Sequence, residues 1–258
     1  MIFLFPHNPL ASNEADGPYQ AEFLALRAEG AHCALFDYDM LDFQFRPQPG
    51  LPAGADVLYR GWMLSPAQYH TLESRVRGTG ASLLINQETY LRAHHMPSWY
   101  EHCRAFTPET YFFPHDDHLE ASIDALGWDA YFIKDFVKSN STARGSIAHS
   151  PAEAIEIVNL IETYRGEIEG GIAVRRVEPF LADTEERFFV FKGKPHAPSG
   201  DIPSLVLKIA EQIDSPFYSI DTIKREDGEL RLVEIGDGQV SDKKRWPLER
   251  FVKMLLSG

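Results

Sequence analysis

A hairpin pattern near the C-terminus constrains the fold most, and it lies in the segment FYSIDTIKREDGELRLVEIGDG. Two partly apolar strand patterns flank Asp227-Gly228, and Asp-Gly between such patterns favours a two-residue β-hairpin turn. This register predicts that Asp221 faces Glu234 across the two strands. Facing residues on one sheet surface have Cβ atoms roughly 5 Å apart, so the two carboxylates would repel each other. A divalent cation bound between them would offset that repulsion.

The same hairpin therefore predicts a metal site. Carboxylate oxygens, without Cys or paired His ligands, favour magnesium or manganese over zinc. A third candidate ligand, Asp237, follows Asp221 and Glu234 in the next bend. The alternative is a solvent-exposed hairpin that merely carries acids. Apolar residues in both strands, including Ile220 and Leu232, favour a partly buried hairpin instead.

The composition excludes several classes of partner. A net charge of −13 argues against nucleic acid and against an anionic membrane as partners. No stretch approaches the about 18 apolar residues of a transmembrane helix, and the opening MIFLF reads as a first strand instead of a signal peptide. Cys33 and Cys103 form no CxxC motif and too few pairs for a disulfide framework, which favours a cytoplasmic location.

The order of patterns predicts two domains. Strand and helix patterns alternate over the first hundred residues, which predicts a small parallel α/β sheet with covering helices over residues 1–105. Within it, Ser65 before Pro66 is a good N-cap and first-turn pair for a helix. From about Phe106 the pattern changes to hairpins with single helices, which predicts a second, α+β domain over residues 106–258.

A basic, hydroxyl-rich segment reads YFIKDFVKSNSTARGSIAH. The two-residue period of a strand places Lys134 and Lys138 on one face, so both ammonium groups can meet one ligand. The following loop, with Ser141, Arg144 and Gly145, offers backbone N–H groups and hydroxyls that can wrap phosphate oxygens. The alternative is an ordinary surface hairpin. Together with the acids of the other hairpin, the segment predicts half of a nucleotide triphosphate site.

The segment VRRVEPFLADTEERFFVFKGKPH lies between these two halves. Glu178 and Phe180 fall between two strand patterns, where an adenine can stack on apolar residues and bond to the backbone. Glu185 follows seven residues after Glu178 and is a candidate for the ribose hydroxyls. Arg187, in the second strand, is either a salt-bridged surface residue or a clamp for phosphate.

Taken in order, three segments resemble the ATP-grasp superfamily over about residues 106–258: KDFVKSNSTARGS, VEPFLADTEERFFVFKGK and IDTIKREDGELRLVEIGDGQVSD. The YRGWM segment and the tail EIGDGQVSD are similar to the small prokaryotic and phage branch called the R-two-K clade. The resemblance implies an ATP-grasp fold, in which two α+β lobes clasp ATP. It also implies a small Rossmann-like pre-ATP-grasp domain before that fold.

The resemblance assigns roles to the residues quoted above. It implies ATP and Mg²⁺ as cofactors, with Lys134 on the phosphates, the loop that ends at Gly145 as a lid, Glu178 and Phe180 at adenine, Glu185 at ribose, and Asp221 and Glu234 on magnesium. Arg187 is similar to the Arg that RimK-like ligases carry after their ribose acid, which favours the phosphate clamp.

Two departures from the family pattern leave alternatives open. Most ATP-grasp enzymes have Asn two residues after the metal-binding Glu, whereas this chain has Gly236 there and Asp237 next. The third metal ligand is therefore open. The usual earlier phosphate Lys is absent, and either Arg92 or Arg104 is a candidate to replace it.

These features predict an ATP-dependent ligase that joins a small-molecule or peptide carboxylate to an amine through an acylphosphate. The predicted catalytic residues are Arg187, Lys138 and Arg60, because Arg60 at a strand end is the best-placed cation for a substrate carboxylate. Phosphoryl transfer depends mostly on positioning and electrostatics, which explains the absence of a nucleophile motif. The alternatives are a small-molecule kinase with the same ATP site and a nucleotide-binding module without turnover.

Overall fold

A computed structural model describes residues 1–137, 144–166 and 168–257. The chain forms two compact units, each built from separate stretches. Unit 1 comprises Met1–Ala93, Arg187–Ile220 and Gly236–Gly258, and unit 2 comprises His94–Glu186 and Asp221–Ile235. These units differ from the predicted domains 1–105 and 106–258, because the chain returns to unit 1 twice after leaving it.

The first part of the chain forms a mostly parallel sheet. Its strands are β1 (Ile2–Asn8), β2 (Ala11–Ala15), β3 (His32–Phe36), β4 (Asp56–Tyr59) and β5 (Ser82–Leu83). The order is β2-β1-β4-β5, and β3 also pairs with β1. β1 runs parallel to β3 and β4, as the alternation of patterns predicts, but β2 adds an antiparallel pair that the sequence did not predict.

Four helices lie in the first part of the chain, and one of them begins at the predicted N-cap. They are α1 (Gly17–Ala28), α2 (Pro66–Gly78), α3 (Gln87–His94) and α4 (Met96–Cys103), and a 3-10 turn follows at Arg104–Phe106. Ser65 caps α2 through the Gln68 N–H, and the Gln68 side chain returns a bond to the Ser65 N–H. This reciprocal pair satisfies two donors at the helix start and confirms the predicted N-cap.

The core of unit 1 unites the two ends of the chain. The apolar run of β1, with Phe3, Leu4 and Phe5 at most 1% exposed, is buried as expected for a parallel strand covered on both faces. The C-terminal helix α8 (Leu248–Leu256) contributes Phe251 and Leu255 to the same cluster.

Unit 2 contains an antiparallel sheet of strands β6 (Thr110–Phe113), β7 (Tyr131–Asp135), β8 (Ile147–Ala148) and β9 (Ile172–Arg176), in the order β6-β9-β7-β8. Helices α5 (Leu119–Asp124) and α6 (Pro151–Arg165) supply the apolar partners of one sheet face. Ile133 of β7 and Val174 of β9 belong to this core with Ile157 of α6. The side chains that alternate with them therefore lie on the opposite face.

A third sheet has the order β11-β10-β12-β13. Its strands are β10 (Glu186–Phe191), β11 (Lys194–His196), β12 (Phe217–Lys224) and β13 (Leu230–Asp237), and the helix α7 (Ser204–Ala210) lies between β11 and β12 in sequence. Within the described residues, none of the helices combines the length and hydropathy needed to cross a bilayer.

The turn between β12 and β13 differs from the predicted two-residue hairpin. The Arg225 N–H donates to Glu229 O at 2.8 Å and the Gly228 N–H donates to Arg225 O at 2.8 Å, so three residues separate the paired positions. Gly228 has a φ of +88°. This is the pattern of a type I turn followed by a bulged glycine, which accepts the same Asp-Gly sequence. At the far end Ser219 lies beside Gly236, as the predicted register requires.

Candidate functional site

The sheet face of unit 2 opposite α5 and α6 carries two buried cations. Lys134 of β7 pairs with Ala173 of β9, and Phe132 pairs with Arg175. Because side chains alternate along each strand, Lys134 and Arg175 share this face. Lys134 is 3% exposed and Arg175 is 5% exposed. Buried cations need partners, and both side chains find them in β13.

Lys134 is paired with one of the predicted metal ligands. Its Nζ donates to Glu234 Oε1 at 2.5 Å, and the Lys134 and Glu234 side chains are 3% and 29% exposed. The structure thus brings together a residue predicted to bind phosphate and a residue predicted to bind magnesium, although they lie 100 positions apart. Asp221, the other predicted ligand, is 2% exposed in the same unit.

Arg175 anchors β13 beside this pair. Arg175 is not among the predicted site residues. Its Nη1 donates to Val233 O at 2.7 Å and its Nη2 donates to Thr107 Oγ1 at 2.9 Å. Burial lowers the Arg175 pKa to about 10, while the nearby Glu234 carboxylate favours the charged form. The sequence signal for this residue is an arginine inside the apolar strand pattern IAVRR. A charged side chain in a buried strand needs a buried partner.

Asp221 and Glu234 lie on the neighbouring strands β12 and β13, and together they would suit magnesium only in part. Within the described ranges, no cluster of three or more His, Cys, Asp or Glu side chains is arranged to hold a metal. Magnesium is commonly bound through one or two carboxylates together with substrate phosphates and water. Two such hard oxygen ligands would therefore suit magnesium that arrives with a phosphate, and they would not suffice for a site made from protein ligands alone.

Asp237, the third predicted ligand, lies in a different unit from Asp221 and Glu234. It is 0% exposed and belongs to unit 1, where its Oδ1 accepts bonds from the Gln239 N–H at 2.9 Å and from Gln239 Nε2 at 3.1 Å. Gln239 Nε2 also donates to the Tyr69 hydroxyl at 2.8 Å. Burial raises the Asp237 pKa to about 7. These contacts make Asp237 part of a buried polar network, and its role as a metal ligand stays a prediction.

Glu178 forms a two-bond ion pair with a residue that sequence reasoning did not select. Arg231 donates from Nε to Oε2 and from Nη2 to Oε1 of Glu178, both at 3.0 Å, and Nη2 also donates to Thr107 O at 2.9 Å. The Glu178 carboxylate therefore orients Arg231 in this structure. Any contact of residue 178 with an adenine would use its backbone, as the sequence analysis proposed.

The connection after Glu178 is fixed to the end of β12 through its backbone. Phe180 and Arg225 form a β-bridge, and the Leu181 N–H donates to Lys224 O at 2.9 Å. Phe180 remains partly exposed and Glu185 is exposed. Both residues belong to unit 2, as Lys134 does.

The predicted phosphate loop is described only at its end. Lys138 and Ser141 lie outside the described residues. Arg144 forms ion pairs with Glu153 at 3.3 Å and with Glu156 at 3.4 Å, both on α6. Gly145 has a φ of +77°, a conformation that glycine adopts without steric cost.

Arg187 lies in unit 1, where an acid orients it. Its Nη1 donates to the Asp242 carboxylate and to Asp242 O, both at 2.9 Å. The Arg187 side chain is 11% exposed and that of Asp242 is 78% exposed. The Trp246 indole N–H donates to Arg187 O at 2.8 Å and fixes the backbone. Arg187 is thus held at the edge of unit 1 and keeps a partial opening to solvent.

Arg60, a predicted catalytic residue, is buried in unit 1 against an acidic partner. It is 0% exposed and its guanidinium contacts both carboxylate oxygens of Glu22. A carboxylate from a substrate would have to displace this buried partner, and the catalytic role of Arg60 stays a prediction. The candidates for the missing lysine are both partly or fully exposed: Arg92 pairs with Asp214, and Arg104 lies on the surface.

Comparisons with known proteins agree on the fold. A RimK-domain ATP-grasp protein from Sphaerobacter thermophilus matches with a TM-score of 0.65 and 16% identity, covering 99% of this chain and 97% of that chain. D-cycloserine synthetase DcsG matches with a TM-score of 0.64 and 15% identity, covering 99% of this chain and 98% of that chain. D-alanyl-alanine synthetase A from Vibrio cholerae matches with a TM-score of 0.63 and 11% identity, covering 99% of this chain and 96% of that chain. At such identities the likeness shows the fold.

A sequence search of curated proteins gives no match. The model of the ATP-grasp domain of R-two-K clade family 3 matches residues 125–255, which is half of the chain. The match includes β7 with Lys134 and the whole β12–β13 hairpin. It confirms the resemblance that the sequence motifs indicated. The chain belongs to family 3 of the R-two-K clade of ATP-grasp domains, and its fold is the ATP-grasp fold.

Proposed function

We propose that this protein uses ATP to join a carboxylate to an amine through an acylphosphate. The observation that carries the proposal is the partly buried contact between the Lys134 ammonium and the Glu234 carboxylate, because these are the predicted phosphate-binding cation and one of the predicted metal-binding acids. Membership of the ATP-grasp family supports ATP as the cosubstrate. Structural neighbours include a macrocyclase bound with its precursor peptide and two synthetases of small molecules, which supports ligase chemistry.

The ATP-binding residues of the proposal all belong to unit 2. Lys134 binds the phosphates, and Asp221 and Glu234 would hold magnesium, which neutralises charge between the β- and γ-phosphates when it is bound. The remaining contacts come from the connection after β9 and from the loop after β7. They are Glu178 and Phe180 at adenine, Glu185 at ribose, and Lys138, Ser141, Arg144 and Gly145 at the phosphates.

The chemistry proceeds in two steps. A substrate carboxylate oxygen attacks the γ-phosphorus, the bond to the β,γ-bridging oxygen breaks, and ADP leaves. The amine nitrogen then attacks the acyl carbon, the C–O bond to phosphate breaks, and the nitrogen loses a proton. Arg187, oriented by Asp242, binds the transferring phosphate and offsets the charge that it carries. Positioning of this kind accounts for most of the catalysis of phosphoryl transfer.

Neither cysteine is suited to serve as a nucleophile in this reaction. Cys33 and Cys103 are free thiols. Burial raises the Cys33 pKa to about 11 and the Cys103 pKa to about 12. The reactive thiolate is therefore scarce at neutral pH. Two free thiols also agree with the proposed cytoplasmic location.

The test is a search for turnover with magnesium and ATP against pooled amino acids, small peptides and polyamines. Release of ADP and phosphate, with a product lighter by one water than its two substrates, supports the ligase. Glu234→Gln should abolish turnover and largely keep ATP binding, whereas Glu229→Gln, an exposed acid on the same hairpin, should change little.

Three other results would contradict the proposal. A phosphorylated product without an amide indicates a kinase. Tight ATP binding without turnover across the whole substrate set indicates a nucleotide-binding module. Full activity of Glu234→Gln removes the metal assignment on which the mechanism depends.

A further inference from the structure

Arg60 is among the largest fully buried side chains of unit 1, directly after β4. Its Nε and Nη2 contact the Glu22 carboxylate of α1 at 2.8 to 3.0 Å. Phe251 of α8 lies under the guanidinium, with 5.1 Å from Cζ to the ring centroid. Glu22 neutralises the charge, and the aromatic ring excludes water from one side. Arg60 is therefore held rigidly from one direction.

The other end of the guanidinium holds a loop. Nη1 donates to three carbonyl oxygens of one short segment: Gly238 at 2.6 Å, Gln239 at 3.0 Å and Ser241 at 3.0 Å. The Gly61 N–H also donates to Gln239 O at 3.2 Å. An arginine has five N–H donors in a fixed fork, and here every nitrogen of the fork has an acceptor. A lysine has a single nitrogen and cannot span both the carboxylate and the three carbonyls.

This loop ends in the acid that orients Arg187. Asp242 follows Ser241 directly and accepts from Arg187 through both its carboxylate and its carbonyl oxygen. Ser241 Oγ further bonds to Asp237 O at 2.8 Å and to Ser219 Oγ at 2.9 Å, so the loop has little freedom at that point. All of these residues belong to unit 1.

We propose that Arg60 is a positioning residue, which fixes the loop 238–241 and thereby holds Asp242 where it orients Arg187. The role of Arg187 on the transferring phosphate rests on the proposed function, but the chain of contacts from Glu22 to Arg187 stands without it. A core ion pair with a merely structural role would stabilise unit 1 as a whole and would leave the exposure and orientation of Arg187 unchanged.

The experiment measures Arg187 directly, without any substrate. Phenylglyoxal labels exposed guanidinium groups, and mass spectrometry of peptides reports the labelling rate at each arginine. Asp242→Ala should raise the rate at Arg187 several-fold, and Arg60→Lys should do the same because the loop loses its clamp. The double variant should not exceed the larger single effect. Arg77→Lys, which changes an exposed arginine of the same unit, is the matched control and should change nothing at Arg187.

An unchanged labelling rate at Arg187 in folded Arg60→Lys would overturn the proposal, and so would effects that multiply in the double variant. If Arg60→Lys does not fold, Glu22→Gln keeps the arginine and weakens its anchor, and the same rise is expected. Once a turnover reaction is available, Arg60→Lys should lower kcat about tenfold with little change in KM for ATP, because the phosphate clamp is misplaced. Raised labelling without any turnover in the parent protein would support the contact chain and contradict only the proposed function.

Discussion

Replacing Lys134 with Met should weaken the fold and ATP binding together. The Lys134 side chain is 3% exposed and that of Glu234 is 29% exposed, so their pair is neither a surface nor a fully buried one. Surface pairs contribute about 0–1 kcal/mol, while removal of one partner from a buried pair costs about 3–5 kcal/mol. Lys134→Met should therefore lower the free energy of unfolding by about 2 kcal/mol.

A double-variant cycle isolates this pair. Lys134→Met leaves the Glu234 carboxylate without its cation, and Glu234→Gln leaves the ammonium without its anion. The double variant should therefore lose less than the sum of the two single losses, by about 1 kcal/mol or more. Urea denaturation without nucleotide measures all four proteins. Lys208→Met, on the exposed side of α7, is the control and should stay within about 0.5 kcal/mol of the parent. Additive losses would refute the coupling.

The same variants test the nucleotide site by titration calorimetry with a non-hydrolysable ATP analogue. A charge-assisted bond contributes about 1.5–3 kcal/mol, so Lys134→Met should weaken binding about 10- to 100-fold. Glu234→Gln should reduce the part of the affinity that depends on magnesium. Unchanged affinity in folded Lys134→Met would refute the assignment of this residue to the phosphates.

Three further changes test the buried contacts. Burial raises the Asp237 pKa from 3.8 to about 7, so the protonated carboxyl group stabilises the folded state fully below about pH 4. As the pH rises toward 7, the free energy of unfolding should fall by at most about 1.4 kcal/mol per pH unit. Asp237→Asn should remove this pH dependence of the unfolding free energy, measured by urea denaturation. A pH dependence that persists in the variant would show that another group causes it. Arg231→Met removes both short bonds to the partly buried Glu178 carboxylate and leaves its longer ion pair with Arg225 at 3.8 Å, so it should lower the unfolding free energy by about 2 kcal/mol in the same assay. Gly171→Ala places a Cβ 2.7 Å from Phe113 O at a φ of +141° and should lower the melting temperature, whereas an unchanged value would contradict this packing.

Local features of the fold could be predicted from the sequence, because neighbouring residues determine them. Ser65 and Gln68 form the expected cap, since the helix start needs acceptors for its first N–H groups. Lys192-Gly193 joins β10 and β11, and both residues have a positive φ, at 48° and 75°. The Asp-Gly turn between β12 and β13 was harder, because the same two residues suit turns of two and of three residues.

Partners of buried charges could not be predicted in this way. The period of a strand places Lys134 on one face, but it does not say that Glu234 lies opposite. Arg60 contacts a carbonyl 178 positions away, and its place at a strand end does not indicate that contact. Such contacts depend on how distant segments pack. A charged residue inside an apolar strand pattern, as at Arg175, still signals that a buried partner exists.

Transfer of labelled oxygen tests the proposed ligase reaction most directly. The carboxylates of the pooled amino acids and peptides are labelled with ¹⁸O, and the protein is incubated with them, with unlabelled ATP and with magnesium. Attack of a carboxylate on the γ-phosphate, followed by amide formation, predicts one ¹⁸O atom in the released phosphate and an ATP-dependent amide product. Release of ADP with phosphate that carries no label would contradict the acylphosphate route.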